Sequence, residues 1–410
     1  ATRQNTQTQI ERPRDLSQHV FSQLARLIHY GNYSPSELPT ATHSVHLYVH
    51  IPFCHRVCPY CSFYKHTPGE TPIGAFIEAL GVEAAKRANS LEDRPVTTLY
   101  LGGGTPSMLS PTHLIRLFSL LRGAFLIDDS TEITMEANPA TFGKRTASIY
   151  QKLGVTRVSL GAQSFHPEVL KTLGRQHNAE DIQESVSLLR QAGIPRLNID
   201  LMFSIPGQTA EMWDDTLNAA LALKPDHISA YNLTYEEDTA FFDRFKKGEF
   251  IDDSTLNARL FDHARTKLTK LGYRHYETSN YARPGCQSAH NRGYWSGADY
   301  LGLGPSAVST LGGRRWKNIP DTVGYLAMIN RVGHAETETE IIGDEEFRLE
   351  RIALLLRTDF GVPMKHLSSV PLENITRLVD EGLAERAEGN LRLVGKGPLL
   401  VDSITEYLVC

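Results

Sequence analysis

The sequence has little cysteine, no excess of basic residues and no long apolar run. Five cysteines in 410 residues cannot staple a chain of this size, so it must stand on its apolar core, and a reducing compartment is expected. Lys and Arg number 42 against 47 Asp and Glu, a net charge of -5. With both signs interspersed there is no basic face to neutralise a phosphate backbone, which argues against nucleic acid as a partner. No stretch approaches the roughly 20 apolar residues of a membrane span, so any membrane contact is peripheral. The opening ATRQNTQTQIERPRD lacks an apolar signal core and an initiator Met. It reads as an ordinary terminus leading to a helix near 15–29. Only its acid-free, Thr-, Gln- and Arg-rich start resembles the tail of a transit peptide. The expected location is the cytoplasm, or an organelle matrix or stroma if that start is such a remnant.

What the chain does have is 41% hydrophobic residues over a length beyond the ~250 to 300 residues at which single cores stop growing. Two cores are expected. Short apolar strands alternate with amphipathic helices: HLYVHI (46–51), VTTLYL (96–101), TEITMEA (131–137), TRVSLGA (156–162), RLNIDLMF (196–203) and DHISAYNL (226–233). The cleanest helix is NAEDIQESVSLLRQAG, with Asn178 as N-cap, Ile182, Val186 and Leu189 on one face, and Gly193 as its stop. This alternation predicts an α/β fold with a parallel sheet, wound either as an open doubly wound sheet or as a partial (β/α)6 barrel. From 336 the pattern becomes helix, helix, hairpin, helix, a small winged-helix-like α+β unit. Its acidic first helix favours packing or capping over DNA binding. The expected organisation is an extension (1–42), the βα core (43–280), a connecting segment (281–335) and the C-terminal unit (336–410).

Unusual polar residues sit at the ends of these strands, where parallel α/β folds place ligands. Three of the five cysteines, Cys54, Cys58 and Cys61, follow the first strand in a C-x3-C-x2-C pattern. Thiolates hold zinc or iron–sulfur clusters, and either needs four positions filled. Three local thiolates leave one open. Zinc would require His50, His55 or His66 as a fourth ligand. A four-iron cluster held at three corners, with the fourth iron left for another ligand, suits three cysteines on one short loop at a site rim.

From about 45 to 280 the chain resembles the radical S-adenosylmethionine (SAM) superfamily, of which C-x3-C-x2-C after a first strand is the signature. The resemblance implies a partial TIM-like barrel and a 4Fe–4S cluster whose fourth iron takes the amino and carboxylate groups of SAM. One electron then cleaves SAM to a 5′-deoxyadenosyl radical, so an electron donor such as flavodoxin or ferredoxin is implied. LYVHIPFC, LGGGTPS, MEANP, LGAQSF, LGRQHN, NIDLMFSIPGQT and YNLTYEEDTAF resemble one branch, the oxygen-independent coproporphyrinogen III dehydrogenases and the HemW heme chaperones. By that resemblance Tyr48 and Tyr60 flank cluster and SAM, and Gly103, Gly104 and Thr105 meet the SAM amino group. Glu136 and Asp200 bind ribose, Gln163 adds a polar contact, Arg175 pairs with the SAM carboxylate, and Thr234 lies near the adenine.

Two features separate the branches. The dehydrogenases resemble C-x3-C-x2-C-x-C, whereas Phe63 stands at that last position here. HNRGYW (290–295) resembles the H-N-x-x-Y-W motif associated with heme binding in HemW proteins, which makes His290, Tyr294 and Trp295 candidate heme contacts, against the alternative of a packing motif. One departure is Val308, where HemW proteins usually show His after YLGLGPSA, and Cys286 is a candidate substitute thiolate or an incidental cysteine. The expected function is a HemW-like protein that binds heme and delivers it to heme-requiring, respiratory clients. The alternatives are a coproporphyrinogen III dehydrogenase, a methylase or cyclopropane-forming enzyme using two SAM, and a zinc protein.

Overall fold

The computed structural model describes residues 44–69, 71–91 and 94–409; the helix expected near 15–29 and the extension 1–42 lie outside them. Contacts divide the described chain into two units, meeting at Gly343 and Asp344.

The larger unit is built on six parallel strands: β1 Val45–Ile51, β2 Val96–Gly103, β3 Glu132–Ala137, β4 Arg157–Gln163, β5 Arg196–Phe203 and β6 His227–Asn232. They follow one another in space in the order of the chain. A doubly wound sheet reverses its strand order at a switch point; this one never does, which is the winding of a partial barrel. Helices α1 Ile73–Ala88, α2 Pro111–Ala124, α3 Lys144–Lys152, α4 Pro167–Thr172, α5 Ala179–Gln191 and α6 Ala210–Ala222 fill the crossovers. The helix predicted over 178–193 forms with a complete capping box between Asn178 and Asp181, and Gly193 ends it at a φ of 81°.

The period-2 alternation of the strands separates two environments. In β1, Val45, Leu47, Val49 and Ile51 are fully buried, while the alternate residues His46, Tyr48 and His50 bond or stack with side chains of β2, β1 and the loop beyond. The same parity gives Thr98 and Tyr100 on β2, Thr134 and Glu136 on β3, Ser159 on β4, Asn198 and Asp200 on β5, and Ser229 and Tyr231 on β6. Across this face Asp200 of β5 raises the pKa of Tyr100 on β2 and of Glu136 on β3, so its buried polar groups share one electrostatic environment.

Residues 281–343 differ from expectation. Rather than connecting two domains, they extend the same sheet. After α7 Ala240–Lys246, α8 Ser254–Lys270 and the hairpin β7 Arg274–Glu277 and β8 Asn280–Ala282, the chain forms α9 Ala289–Trp295, β9 Tyr300–Leu303, β10 Val308–Leu311, β11 Arg314–Asn318, α10 Thr322–Val332 and β12 Glu336–Ile341. Strand β9 pairs parallel to β1, so β1 is an internal strand of the sheet, flanked by β9 and β2. One buried acid ties this extension to the first helix: Glu83 of α1, wholly inaccessible, accepts from Gly304 N at 2.9 Å, Asn318 Nδ2 at 2.7 Å and Tyr325 OH at 2.7 Å. Glu336–Ile341 belongs to this sheet, so the small unit starts at 344 rather than 336.

The smaller unit contains α11 Asp344–Leu355, β13 Val362–Pro363, α12 Leu372–Asp380, the hairpin β14 Ala384–Ala387 and β15 Asn390–Leu393, and α13 Val401–Val409. Its core gathers Ile352, Leu356, Val362, Ile375, Leu391 and Ile404; the helices and hairpin follow in the expected order, with the unexpected strand β13 between the first two helices, paired to β15.

Candidate functional site

The three clustered thiols lie on one loop, residues 52–66, which leaves the C-terminal end of β1 and closes on itself. Cys54 N–H donates to His66 O at 2.9 Å, His66 N–H to Pro52 O at 2.9 Å, and Cys61 N–H to Cys58 O at 3.2 Å. Cys54, Cys58 and Cys61 are unpaired thiols with partial solvent access. Burial pushes the Cys54 and Cys61 thiols above their ordinary pKa, and the neighbouring cysteines add to that rise. Thiols that hinder one another's ionisation are deprotonated by a bound metal, so the donor set fits an iron–sulfur cluster. Two of the three histidines that could have supplied zinc with its fourth ligand are engaged. His50 bonds Tyr64 O through Nε2 at 2.8 Å and Tyr48 OH through Nδ1 at 3.0 Å, and burial holds its pKa down at about 4. His66 bonds Thr67 O and Thr322 Oγ1. Among the described residues no three His, Cys, Asp or Glu side chains gather closely enough to hold a single ion.

The glycine loop after β2 packs directly beneath this loop. Gly104 N–H donates to Ile51 O at 2.7 Å and Thr105 N–H to Phe53 O at 2.8 Å. A Cβ on Gly104 would sit 2.7 Å from both carbonyl oxygens, so only glycine lets the two loops approach this closely. Thr105 Oγ1 reaches Cys54 Sγ at 3.5 Å and accepts from Asn138 Nδ2 at 3.0 Å. Asn138 Oδ1 accepts from Arg175 Nη2 at 2.6 Å, and Arg175 Nη1 lies 3.6 Å from Cys58 Sγ. A chain of side chains, Cys54–Thr105–Asn138–Arg175–Cys58, thus closes around the rim. Asn138 was not singled out from the sequence. Its signal was its place in MEANP, two positions after Glu136 at the end of a strand.

Below the rim lie the two carboxylates. Glu136 accepts from Tyr100 OH at 2.8 Å and Gly103 N at 3.1 Å. Burial, reinforced by Asp200, raises its pKa to about 7. Asp200, whose pKa burial also raises, accepts from Ser159 Oγ at 2.8 Å and Asn198 Nδ2 at 2.7 Å. Tyr48 stacks on Tyr100 at 6.1 Å. Tyr60 packs on Phe241 at 6.0 Å. Gln163 stands at a bulge in β4 with φ of 64°, a left-handed conformation that turns it out of the strand's alternation. Thr234 bonds Glu236 at 3.0 Å just beyond β6.

His290, Tyr294 and Trp295 are not part of this constellation. They lie on α9, which covers the opposite end of the strands. The helix N-terminus receives the Glu132 carboxylate, which accepts from Ala289 N at 2.9 Å and His290 N at 3.2 Å, a favourable place for an anion. Glu132 stands at the first position of β3 and pairs with Arg157, the first of β4, at 3.7 Å. The His290 ring packs against Tyr100 in a tilted arrangement, with centroids 4.9 Å apart. Its Nδ1 lies 2.7 Å from Thr98 Oγ1, which also meets His46 Nδ1 at 2.8 Å. Burial lowers the His290 pKa to about 3. A Cβ on Gly293 would come within 2.2 Å of the His46 ring, so the glycine of the motif is demanded by this packing. HNRGYW closes the floor of the barrel, with Tyr294 and Trp295 partly exposed at the helix end. Of the two remaining landmarks, Val308 opens β10 opposite Lys317, and Cys286 is partly exposed, with its carbonyl accepting from Arg157 Nη2 at 2.6 Å.

Residues 48–220 match the sequence profile of the Radical SAM superfamily, and the heme chaperone HemW of Lactococcus lactis is 33% identical over 372 residues, 88% of this chain and 96% of that protein. The chain belongs to the HemW family of radical SAM proteins. A mouse mitochondrial radical SAM domain-containing protein 1 is 33% identical over 343 residues, 81% of this chain and 77% of its own. Among solved structures, HemN of Escherichia coli, a coproporphyrinogen III oxidase and radical SAM enzyme, matches 89% of this chain and 90% of its own, with a TM-score of 0.78 and 25% identity. Membership brings the family's cofactors, a 4Fe–4S cluster and SAM. The superfamily profile ends inside α6, so the HemW-family floor motif and the strands β9–β12 stand beyond it. Among the described residues no helix is long and apolar enough to cross a membrane.

Proposed function

We propose that this chain binds heme and passes it to a heme-requiring, respiratory client, using a SAM-ligated cluster as a regulatory or weakly reactive centre. The observation that carries this reading is Phe63. It occupies the position of the dehydrogenases' additional cysteine in a chain whose similarity to heme chaperones runs along nearly its whole length. Cys54, Cys58 and Cys61 hold the cluster. Arg175 reaches the SAM carboxylate from beside Cys58, and Gly103, Gly104 and Thr105 present the loop that meets the amino group. Glu136 and Asp200 take the ribose hydroxyls from within the barrel, with Gln163, Thr234, Tyr48 and Tyr60 around the adenosyl group. When bound, the cluster supplies the electron that cleaves SAM. The rim is accessible to a one-electron donor of the flavodoxin or ferredoxin kind, because His55, Arg56 and Val57, between the first two cysteines, are exposed. Unpaired thiols favour a reducing cytoplasm or organelle matrix.

Heme contact at the floor motif is proposed for Tyr294 and Trp295, whose partly exposed rings can stack on a flat macrocycle. His290 keeps partial solvent access, with its Nδ1 engaged by Thr98. The test is anaerobic reconstitution followed by two assays. About four irons per chain and a Soret band on titration with micromolar heme are expected, with no decarboxylated product from coproporphyrinogen III, SAM and reductant. Zinc in place of iron, absence of heme binding, or turnover of the porphyrinogen each refutes the reading.

A further inference from the structure

The cysteine loop is held from a part of the chain far from it in sequence and outside the superfamily profile. Thr322, buried at the first position of α10, meets both Tyr64 and His66, which follow the third cysteine. Its N–H donates to Tyr64 OH at 2.7 Å. Its Oγ1 lies 3.0 Å from the same Tyr64 hydroxyl and 2.8 Å from His66 Nε2. His66 Nδ1 lies 2.7 Å from the Thr67 carbonyl, which can only accept, so Nδ1 carries a proton and in the neutral ring Nε2 is an acceptor. The protons then have one consistent order: Thr322 N–H to Tyr64 oxygen, Tyr64 O–H to Thr322 Oγ1, Thr322 O–H to His66 Nε2, His66 Nδ1–H to Thr67 O. The hydroxyl of Thr322 must both donate and accept, which Ser can replace and Val cannot.

The two clamped residues lie on the return leg that is bonded to the cysteine-bearing part of the loop. The His66 backbone bonds Cys54 N and Pro52 O. The Tyr64 carbonyl accepts from His50 Nε2, and Lys65 between them bonds the Cys61 carbonyl. The support behind Thr322 is itself rigid, since Tyr325 of the same helix is fully buried and donates to Glu83.

We propose that Thr322 is a positioning residue for the iron–sulfur cluster: through Tyr64 and His66 it fixes the return leg of the cysteine loop, and so governs how firmly the cluster is retained and at what potential it is reduced. Ligand orientation and the hydrogen bonding around cluster sulfurs are among the protein's means of tuning such centres. The inference rests on the cluster assignment made above.

The experiment compares wild type, Thr322→Val, Thr322→Ser and Tyr64→Phe after anaerobic reconstitution. The readouts are iron and sulfide content, the rate of iron release to a chelator, the midpoint potential and the electron paramagnetic resonance signal of the reduced state. Amide exchange over 54–66 is measured on the same chains without iron. Thr322→Val and Tyr64→Phe are expected to load iron but release it about tenfold faster, the scale of one to two lost neutral hydrogen bonds. They should also show a shifted potential and signal, and faster exchange at Cys54 and His66. Thr322→Ser should return all of these toward wild type. A Val variant that matches wild type in release, potential and exchange overturns the proposal, as does a Ser variant that behaves like Val. Wild type that takes up no iron overturns the cluster assignment beneath it, a result distinct from a cluster indifferent to residue 322.

Discussion

Replacing Glu136 by Gln should abolish a loss of stability that the ligand-free wild type shows as pH rises from about 5 to about 8. The carboxylate has a folded-state pKa of about 7 against an ordinary 4.5, burial being the main cause and Asp200 adding to it. A raised folded pKa contributes stability that is fully present below pH 4.5 and is lost as pH rises through 7. The difference of about 2.5 units corresponds to roughly 3 kcal/mol at about 1.4 kcal/mol per unit. Because the side chain keeps partial solvent access, about 1–2 kcal/mol is expected. Gln removes the titration and adds a nearly constant penalty, since its NH2 must face either Gly103 N, which can only donate, or Tyr100 OH, which must then turn its proton away to accept. The pH slope, not the absolute stability, therefore carries the test. Denaturant unfolding of both iron-free chains at intervals from pH 5 to 8.5 reads it directly. If ribose hydroxyls donate to this carboxylate, SAM affinity of the reconstituted wild type should also rise through pH 7 and that of the variant should not. Parallel stability curves, or a wild type that gains stability through pH 7, refute the reasoning.

Two further outcomes are expected. Glu83→Ala should cost about 3–5 kcal/mol, the range for removing one partner from a buried polar network, because it strands the donors of Gly304, Asn318 and Tyr325; a loss below 1 kcal/mol in calorimetric or denaturant unfolding refutes the network. His290→Ala should cost about 2–4 kcal/mol by leaving a cavity beside Tyr100 and removing one of the two hydrogen bonds of Thr98 Oγ1, while Trp295→Ala, at the partly exposed end, should weaken the heme Soret band at smaller cost in stability. The reverse ordering would make His290 the heme residue.

The six parallel strands were legible because each is an apolar or alternating run bounded by turn residues, and the helix over 178–193 because its cap, face and stop agree. The strands beyond 280 were not. RRWKN and ETETEI are rich in charge, the second at every other position, and belong to the outer end of the sheet, so no apolar run announces them. The three cysteines were legible from spacing alone, whereas Asn138, Glu83 and Thr322 are ordinary polar residues whose meaning lies in partners far along the chain. An acid in the middle of an amphipathic helix reads as solvent-facing; Glu83 is the opposite because its partners arrive from residues 304–325. The HNRGYW motif was legible as a motif, and its place at the floor was not, because nothing local in it points to Thr98 or His46.

The pairing of β9 with β1 bears on where this protein can be cut. A fragment ending near 280, where the sequence suggests the barrel is complete, would strip β1 of its outer neighbour and leave a row of backbone donors and acceptors open to pairing with another chain. It would also abandon the Glu83 carboxylate inside the core and release the clamp on the cysteine loop. The compact unit that holds the cluster loop runs through Gly343, well beyond residue 220, where the stretch by which its superfamily is recognised ends.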